Sequence, residues 1–344
     1  MKRPAGHAGR RGWHGTREFM DRLIESLPGL LILLGEGLLV ALVMLIAHTT
    51  WTLTRPPRRT FATALAAGRP TDPSKLDESP AFEEWSFRAA ARGTRQLDLP
   101  VWDIKGRHAR GSVVILTHGW GDSRLGALAR IPSLLDRASR IIAWDMAGHG
   151  DAPGTCSLGH REVDDLLALI ARVGRECPIV LFGWSMGAGV SIAAAARIGE
   201  LREPPELAGV IAESAYRFVD TPARNVLAAK GMPYRANLPI ALRWIGWRVG
   251  AGSRWRGYDR VPMAGALACP LLFIHGQDDA ISPLDDAFAL AGAAKNARVD
   301  VIPGAGHVGL WSDPANRARC ESALDWMLRK GDASAWSRGN GPRA

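Results

Sequence analysis

Cysteine is scarce in this chain, with four among 344 residues, and no two of them stand in C-x-x-C spacing. This excludes a disulfide-dense scaffold and gives no indication of a zinc site or a thioredoxin-like pair. The chain also shows no collagen-like period, internal repeat or Gly-rich phosphate loop. Apolar residues make up 47% and charged residues 22% of the sequence, which excludes a disordered chain. We therefore predict a chain that buries a core, with no metal and no cofactor.

Acidic residues are fewer than basic ones, 34 against 43, and the formal net charge is +9. The excess is local, because residues 1–28 carry six Lys and Arg against three acids, and residues 53–75 carry five against one. The remaining body, residues 76–344, has 32 against 29. Since the body is nearly balanced, the sequence does not predict a nucleic-acid partner.

The basic segments flank one long apolar run. Residues 30–47 are 18 residues with a single charge, Glu36, and about 20 apolar residues in a helix cross roughly 30 Å of hydrocarbon. A buried core helix would alternate with polar positions, and a cleaved signal peptide would have a shorter apolar region that ends in small residues. We therefore predict a basic tail over residues 1–28 and one retained transmembrane helix over residues 29–53.

Composition also predicts the remaining boundaries. Residues 54–80 are rich in Pro, Arg, Thr and Ala without a strong period, which is typical of a linker. Residues 81–330 are predicted to form the folded domain, and the glycine-rich residues 331–344 a loose tail. The six basic residues before the apolar run, against five after it, favour an inside N-terminus. The folded domain is then expected on the outer side of the membrane.

From residue 85 onward, short β-rich runs alternate with Ala- and Leu-rich stretches. This alternation predicts an α/β fold with a parallel sheet covered by helices. Strands are expected at residues 85–90, 95–102, 112–117, 140–145, 179–183, 209–212, 271–275 and 299–302. Helices are expected between them at residues 125–138, 161–173, 186–198, 283–293 and 313–329.

One interval breaks this alternation. Nearly sixty residues separate the sixth and seventh predicted strands. Within this interval, residues 216–260 contain nine Lys and Arg residues and two acidic residues, and they also contain Trp244 and Trp247. We predict an inserted cap at about residues 214–266. Beside a membrane anchor, such a cap favours a surface that rests near anionic headgroups. The alternative is that its tryptophans pack over the core and its arginines are solvated.

The segment Gly183-Trp184-Ser185-Met186-Gly187 follows an apolar strand and opens an Ala-rich helix. In this context a G-x-S-x-G pattern predicts a nucleophile on a strained strand-to-helix turn, with glycines that allow close backbone approach. The N-terminus of the helix favours developing negative charge. Ser185 is therefore the candidate nucleophile.

A serine hydroxyl is a weak nucleophile near pH 7 and needs a neighbouring base. His307 is the candidate base, since it follows the last predicted strand in a glycine-rich loop. An acid pair follows the preceding strand, and we choose Asp279 to orient the base, with Asp278 as the reserve. Capping of the next helix, which starts near Ser282, is the alternative role for Asp279.

The segment His118-Gly119-Trp120 follows the third predicted strand, where a second oxyanion donor is expected. The backbone N–H groups of Trp120 and Met186 are the candidates for the oxyanion hole. Whether the indole of Trp120 lines an acyl pocket or only packs stays open. Candidate substrate-binding residues are Trp184, Trp244 and Trp247.

Together these landmarks resemble an α/β-hydrolase over about residues 82–330, near the esterase and monoacylglycerol-lipase-like branch. The resemblance is carried by Leu116-Thr117-His118-Gly119, by Asp145-Met146-Ala147-Gly148-His149-Gly150, by the serine motif and by the chain order Ser185, Asp279, His307. It implies the α/β-hydrolase fold, with an eight-stranded mostly parallel sheet, helices on both faces and a helical cap. It also implies a structural role for the loop at residues 145–150.

The predicted activity is cleavage of carboxylic esters through an acyl-serine intermediate, with lipid-like esters as natural substrates for a membrane-anchored enzyme. A serine at position 185 disfavours dehalogenase and epoxide-hydrolase chemistry, because those relatives use an aspartate nucleophile. A peptidase or acyltransferase on the same fold is the first alternative. A non-catalytic binding module is the second, and the presence of all three triad residues disfavours it.

Overall fold

The computed structural model of this protein describes residues 11–89 and 96–328. The described residues divide into two compact units, one that ends at residue 49 and one that begins at residue 50. The loose tail predicted at residues 331–344 lies outside the described residues.

Helix α1 (Arg11–Thr54) begins inside the segment predicted as a basic tail. Its stretch Phe19–Thr54 is long and apolar enough to cross a membrane, and its most apolar window of 18 residues is 0% buried. The helix continues through Pro28, although a proline removes one backbone donor. The last turn of α1, residues 50–54, belongs to the second unit.

Residues 54–80, predicted as a linker, contain short regular elements. Helix α2 (Phe61–Ala66) starts at a capping box, in which Thr60 and Thr63 exchange side-chain to backbone hydrogen bonds. A 3-10 turn follows at Pro73–Lys75.

An eight-stranded sheet forms the centre of the second unit. Its strands are β1 (Phe82–Arg88), β2 (Asp98–Lys105), β3 (Val113–Thr117), β4 (Arg140–Trp144), β5 (Ile179–Trp184), β6 (Leu207–Glu213), β7 (Leu271–Gly276) and β8 (Ala297–Ile302). Their order in the sheet is β1-β2-β4-β3-β5-β6-β7-β8. The β1–β2 and β2–β4 pairs are antiparallel and the other five are parallel, which confirms the predicted mostly parallel sheet.

Helices cover both faces of this sheet, as predicted. Side chains of a strand alternate between its two faces, and those of β3 enter two separate cores. Val113 and Ile115 belong to the first core cluster, and Val114 and Leu116 to the second. The helices of this unit after α2 are α3 (Ile131–Leu135), α4 (Glu162–Val173), α5 (Met186–Arg197), α6 (Asp220–Ala229), α7 (Leu238–Val249), α8 (Arg260–Ala266), α9 (Leu284–Ala293) and α10 (Pro314–Met327).

The single helix predicted at residues 125–138 is divided into a 3-10 turn (Arg124–Ala129) and α3. Pro132 lies in the first turn of α3. A proline lacks the N–H that a helix interior needs and its ring clashes with the preceding turn, so a new helix starts there. At α10, by contrast, Asp313 accepts the backbone N–H of Asn316 at 2.9 Å, which confirms the predicted helix start.

Between β6 and β7 the chain forms the helices α6, α7 and α8. They occupy the interval that the sequence predicts as a cap insertion. Helix α6 packs against α7, whereas α8 packs against α5 and α9 of the sheet layer. The insertion therefore has one helix that is part of the layer beside the sheet and two that extend from it.

Candidate active site

Ser185 lies at the turn between β5 and α5, with φ 54° and ψ −119°. Residues other than glycine rarely adopt this positive φ. Glycine is required on both sides of the turn, since a Cβ at Gly183 would overlap the carbonyl oxygen of Gly187, and one at Gly187 would overlap that of Thr117. This close packing of β3, β5 and α5 holds Ser185 at the carboxyl edge of the sheet.

The structure brings the three predicted triad residues together. His307 Nε2 lies 2.9 Å from Ser185 Oγ, and His307 Nδ1 lies 2.8 Å from Asp279 Oδ2. Ser185 is the N-cap residue of α5, but its side chain makes no capping hydrogen bond, so the hydroxyl is free to donate to the imidazole. This arrangement can move a proton from the hydroxyl to the ring.

Asp279 has a fully buried side chain. Burial by itself raises the pKa of a carboxyl group. Here the hydrogen bonds from His307 and from the backbone N–H groups of Ser282 and Ile281 outweigh burial, and the pKa of Asp279 lies below its ordinary value. The carboxylate is therefore ionised at neutral pH and fixes the Nδ1–H tautomer of His307.

The alternative role for Asp279, capping of the next helix, is not found, because α9 has Pro283 as its N-cap residue and no side-chain capping hydrogen bond. Asp279 instead holds the turn that precedes this helix. Its Oδ1 accepts the backbone N–H of Ile281 at 2.9 Å and that of Ser282 at 2.8 Å. Asp278, the reserve candidate, is exposed, and its backbone N–H donates to the Ala305 carbonyl. The geometry thus selects Asp279 over Asp278 as the partner of the histidine.

The two residues predicted for the oxyanion hole lie beside Ser185. Met186 is the first residue of α5, and Trp120 follows Gly119, whose added Cβ would lie 3.1 Å from the Cβ of Ser185. Within the described residues, neither the Met186 N–H nor the Trp120 N–H is paired with a protein acceptor. Both groups are therefore available to a ligand oxygen.

A cavity of about 110 Å³ opens over Ser185 and His307. Its wall is mostly apolar, and besides the catalytic side chains it includes Trp120 and Tyr216. The remaining lining residues are Leu53, Leu158, Met186, Val219, Pro222, Ala223, Val226 and Ile281. Such a wall accommodates an uncharged, apolar part of a ligand.

Comparison with known proteins agrees with this fold. Residues 114–319, more than half of the chain, match the α/β-hydrolase family. The chain belongs to the α/β-hydrolase family. It is a hydrolase with an eight-stranded, mostly parallel sheet.

Among curated relatives, this α/β-hydrolase is 27% identical to a non-heme haloperoxidase of Rhodococcus erythropolis over 241 residues, 57% of this chain and 86% of the relative. It is 25% identical to the lysophosphatidylserine lipase ABHD12 of Macaca fascicularis over 206 residues, 54% of this chain and 46% of the lipase. The chain thus spans about half the length of that lipase. Among solved structures, the Pyrococcus furiosus esterase Pf2001 superposes with a TM-score of 0.58 at 20% identity, over 81% of this chain and 98% of the esterase. That likeness concerns the fold.

Two further histidines of the hydrolase domain support the loops. His118 is buried, accepts the Met146 N–H at 2.9 Å and contacts the Gly119 carbonyl at 2.8 Å. Burial lowers the pKa of His118 to about 3, so its ring is neutral. His275 lies 2.9 Å from the Ser282 carbonyl and so braces the turn that carries Asp279.

The candidate substrate-binding residues Trp184, Trp244 and Trp247 do not line this cavity. Trp184 and Phe182 are two positions apart on β5, so their side chains lie on the same face of the sheet, and both belong to the second core cluster. Most of the residues that line the cavity belong to the first core cluster. Trp244 and Trp247 lie on the outer face of α7, with ring centroids 5.2 Å apart. The geometry therefore does not support a substrate-binding role for these three residues.

Next to the turn that carries Ser185 lies a buried ion pair formed by Arg130 and Glu213, neither of which belongs to a motif named above. Arg130 Nε donates to Glu213 at 3.0 Å and its Nη2 donates to the same carboxylate at 2.5 Å. Trp311 Nε1 also donates to Glu213, at 2.8 Å, and the Arg130 guanidinium lies 3.9 Å from the ring centroid of Trp184. The Glu213 carbonyl accepts the backbone N–H of Ser185 at 2.8 Å, which ties this pair to the nucleophile turn.

Sequence reasoning missed this pair and the cavity residue Leu53. Arg130 and Glu213 are 83 positions apart, and each reads in sequence as an ordinary surface charge. Leu53 falls at the end of the segment predicted to cross the membrane, where a leucine carries no signal of a substrate site.

Proposed function

We propose that this hydrolase is a membrane-anchored serine hydrolase that cleaves carboxylic esters through an acyl-serine intermediate. The relay from Ser185 Oγ to His307 Nε2 at 2.9 Å, and from His307 Nδ1 to Asp279 at 2.8 Å, carries this proposal. A hydroxyl, an imidazole and a buried carboxylate in this order form the machinery of acyl transfer.

In the first half-reaction, Ser185 Oγ attacks the ester carbonyl carbon while His307 Nε2 takes the hydroxyl proton. The carbonyl oxygen becomes an oxyanion, and the N–H groups of Met186 and Trp120 stabilise it, each worth about 10²–10³ in rate. His307 then protonates the leaving oxygen as the C–O bond breaks. The alcohol departs and Ser185 carries the acyl group.

In the second half-reaction, a water molecule attacks the acyl carbon and gives its proton to His307 Nε2. The bond to Ser185 Oγ breaks, that oxygen recovers the proton, and the carboxylic acid leaves. Asp279 stays ionised throughout, because its pKa lies below its ordinary value. It holds the ring and stabilises the imidazolium that forms in each half-reaction.

The apolar wall of the cavity and the relative named as a lipase support an ester substrate with an apolar acyl part. An ionised acyl group would lose its hydration in this cavity without gaining a charged partner from the lining residues. We therefore propose lipid-like esters as natural substrates of this hydrolase.

The anchor is supported by helix α1. Its stretch Phe19–Thr54 passes the length and composition expected of a membrane span. Large apolar side chains such as Leu33, Leu38 and Met44 are each more than half exposed. An exposed surface of this kind is stable in lipid and costly in water.

The test compares the full chain with Ser185→Ala, both in membranes washed with alkaline carbonate and assayed with p-nitrophenyl butanoate. We expect the unsubstituted chain to stay in the membrane pellet and hydrolyse the ester. Ser185→Ala is expected to lower kcat by about 10⁵ or more and to abolish labelling by a fluorophosphonate. Turnover by Ser185→Ala within tenfold of the unsubstituted chain would contradict the triad, and release of the activity into the wash would contradict the anchor.

A further inference from the structure

The last turn of α1 forms part of the cavity over Ser185. Leu53 is 2% exposed, belongs to the first core cluster and lines the cavity together with Ser185 and His307. It lies more than sixty positions before residues 114–319, which match the α/β-hydrolase family. The chain therefore uses a residue outside the matched region as a wall of its site.

This turn is tied to the loops around the nucleophile by hydrogen bonds. The last carbonyl groups of a helix have no partner within the helix, and here loop groups supply them. Trp120 Nε1 donates to the Leu53 carbonyl at 2.9 Å, and the Cys156 N–H donates to the Thr54 carbonyl at 3.0 Å. Arg58 extends the attachment, since its Nη1 donates to the Ala152 carbonyl at 2.9 Å. These bonds hold the backbone of this turn, which includes Leu53, beside the cavity.

Leu53 belongs to the apolar wall of the cavity, where an uncharged acyl chain can be buried. The lining also includes Val219, Ala223 and Val226 on or beside α6, so the end of α1 and one side of α6, which are distant in sequence, enclose the space together. A cavity of about 150 Å³ holds a benzene ring, and the 110 Å³ here suits an acyl chain of about four carbons by the same measure. The size of the residue at position 53 then limits how much longer the chain can be.

We propose that Leu53 is a specificity-determining residue, which contacts the apolar acyl part of the ester and sets the preferred acyl length. This inference rests on the proposed ester hydrolysis at Ser185. The interaction is purely apolar: the substrate buries methylene groups against the leucine, and no bond is made or broken there.

The experiment measures kcat/KM of the full chain in detergent micelles with p-nitrophenyl butanoate and p-nitrophenyl octanoate. The ratio of the two values is the readout, because it is independent of the fraction of enzyme that is folded. Leu53→Ala removes an isopropyl group from the wall and is expected to raise the octanoate to butanoate ratio about tenfold. Leu53→Phe fills the cavity and is expected to lower the same ratio about tenfold.

The matched control is Leu99→Ala, which makes the same deletion at a buried leucine of the first core cluster that does not line the cavity. We expect Leu99→Ala to lower stability and to leave the ratio within twofold of the unsubstituted chain. An unchanged ratio in either Leu53 variant, or an equal shift in Leu99→Ala, would overturn the role of Leu53. Activity that survives Ser185→Ala would instead overturn the proposed function, so the two failures are distinguishable.

Discussion

At the carboxyl edge of the sheet, the side chains of His307 and Asp279 are 16% and 0% exposed, whereas on α7 Trp244 and Trp247 are 50% and 65% exposed. The first pair is fixed by hydrogen bonds to each other and to backbone N–H groups of the adjoining turn. The indoles of the second pair contact each other. Both pairs belong to regions that the sequence predicts to contact substrate.

The sheet edge and helix α7 differ in burial because they position their side chains in different ways. Loops that leave adjacent parallel strands start from the same edge, so their first residues converge whatever the rest of the loop does. A surface helix presents one face to the core and turns the other away. On α7 the core-facing residues include Leu242 and Ile245, and the two tryptophans lie on the opposite face. A segment that is rich in aromatic residues therefore does not have to contribute those residues to the substrate site.

The largest effect is expected at the sheet edge, from the substitution Asp279→Asn. The amide keeps an oxygen for the Ile281 and Ser282 N–H groups, so the turn is preserved, but it cannot stabilise the imidazolium of His307. We expect kcat for p-nitrophenyl butanoate to fall about 10³–10⁴-fold. Asp278→Asn, one position away and exposed, is the matched control and should stay within twofold. Equal losses in the two variants would contradict the assignment of the acid.

A smaller effect is expected behind the sheet edge, at Arg130. Arg130→Met leaves the buried Glu213 carboxylate without its charged partner, and breaking a buried pair in this way costs about 3–5 kcal/mol of unfolding free energy. The control is Arg197→Met, whose guanidinium pairs with Glu200 and Asp164 in partly exposed positions and is worth about 0.2–1 kcal/mol. Urea titrations followed by tryptophan fluorescence measure both. A loss at Arg130 no larger than that at Arg197 would show that the buried pair is not required for stability.

The smallest effect is expected on the outer face of the insertion. Trp244→Ala and Trp247→Ala should each leave kcat/KM for p-nitrophenyl butanoate within twofold, because neither indole lines the cavity. Val226 lies on the cavity side of α6, and Val226→Phe should therefore lower kcat/KM for the octanoate ester about tenfold. A tenfold loss in either tryptophan variant would bring the outer face of α7 into the substrate site.

Much of the site was predictable because its signals are local. The strand-to-helix turn at Ser185 needs an apolar strand, a helix and glycine at positions 183 and 187, all within one short segment. The histidine and the acid follow predicted strands, and parallel strands bring such positions to one edge of the sheet. The choice between Asp278 and Asp279 was not predictable with the same strength. Adjacent residues point in different directions, and only the fold shows which one meets His307.

By itself, the sequence determined the α/β class, the order of the candidate nucleophile, acid and base, and the long apolar segment, since each depends on periodicity or spacing within a short window. Tertiary structure alone decided which side chains face the cavity. Trp184 is directed into the second core cluster by the pleat of β5, and Leu53 is brought to the cavity by a hydrogen bond that spans 67 positions to Trp120. Contacts over such distances depend on how whole layers pack, and no local pattern of residues encodes them.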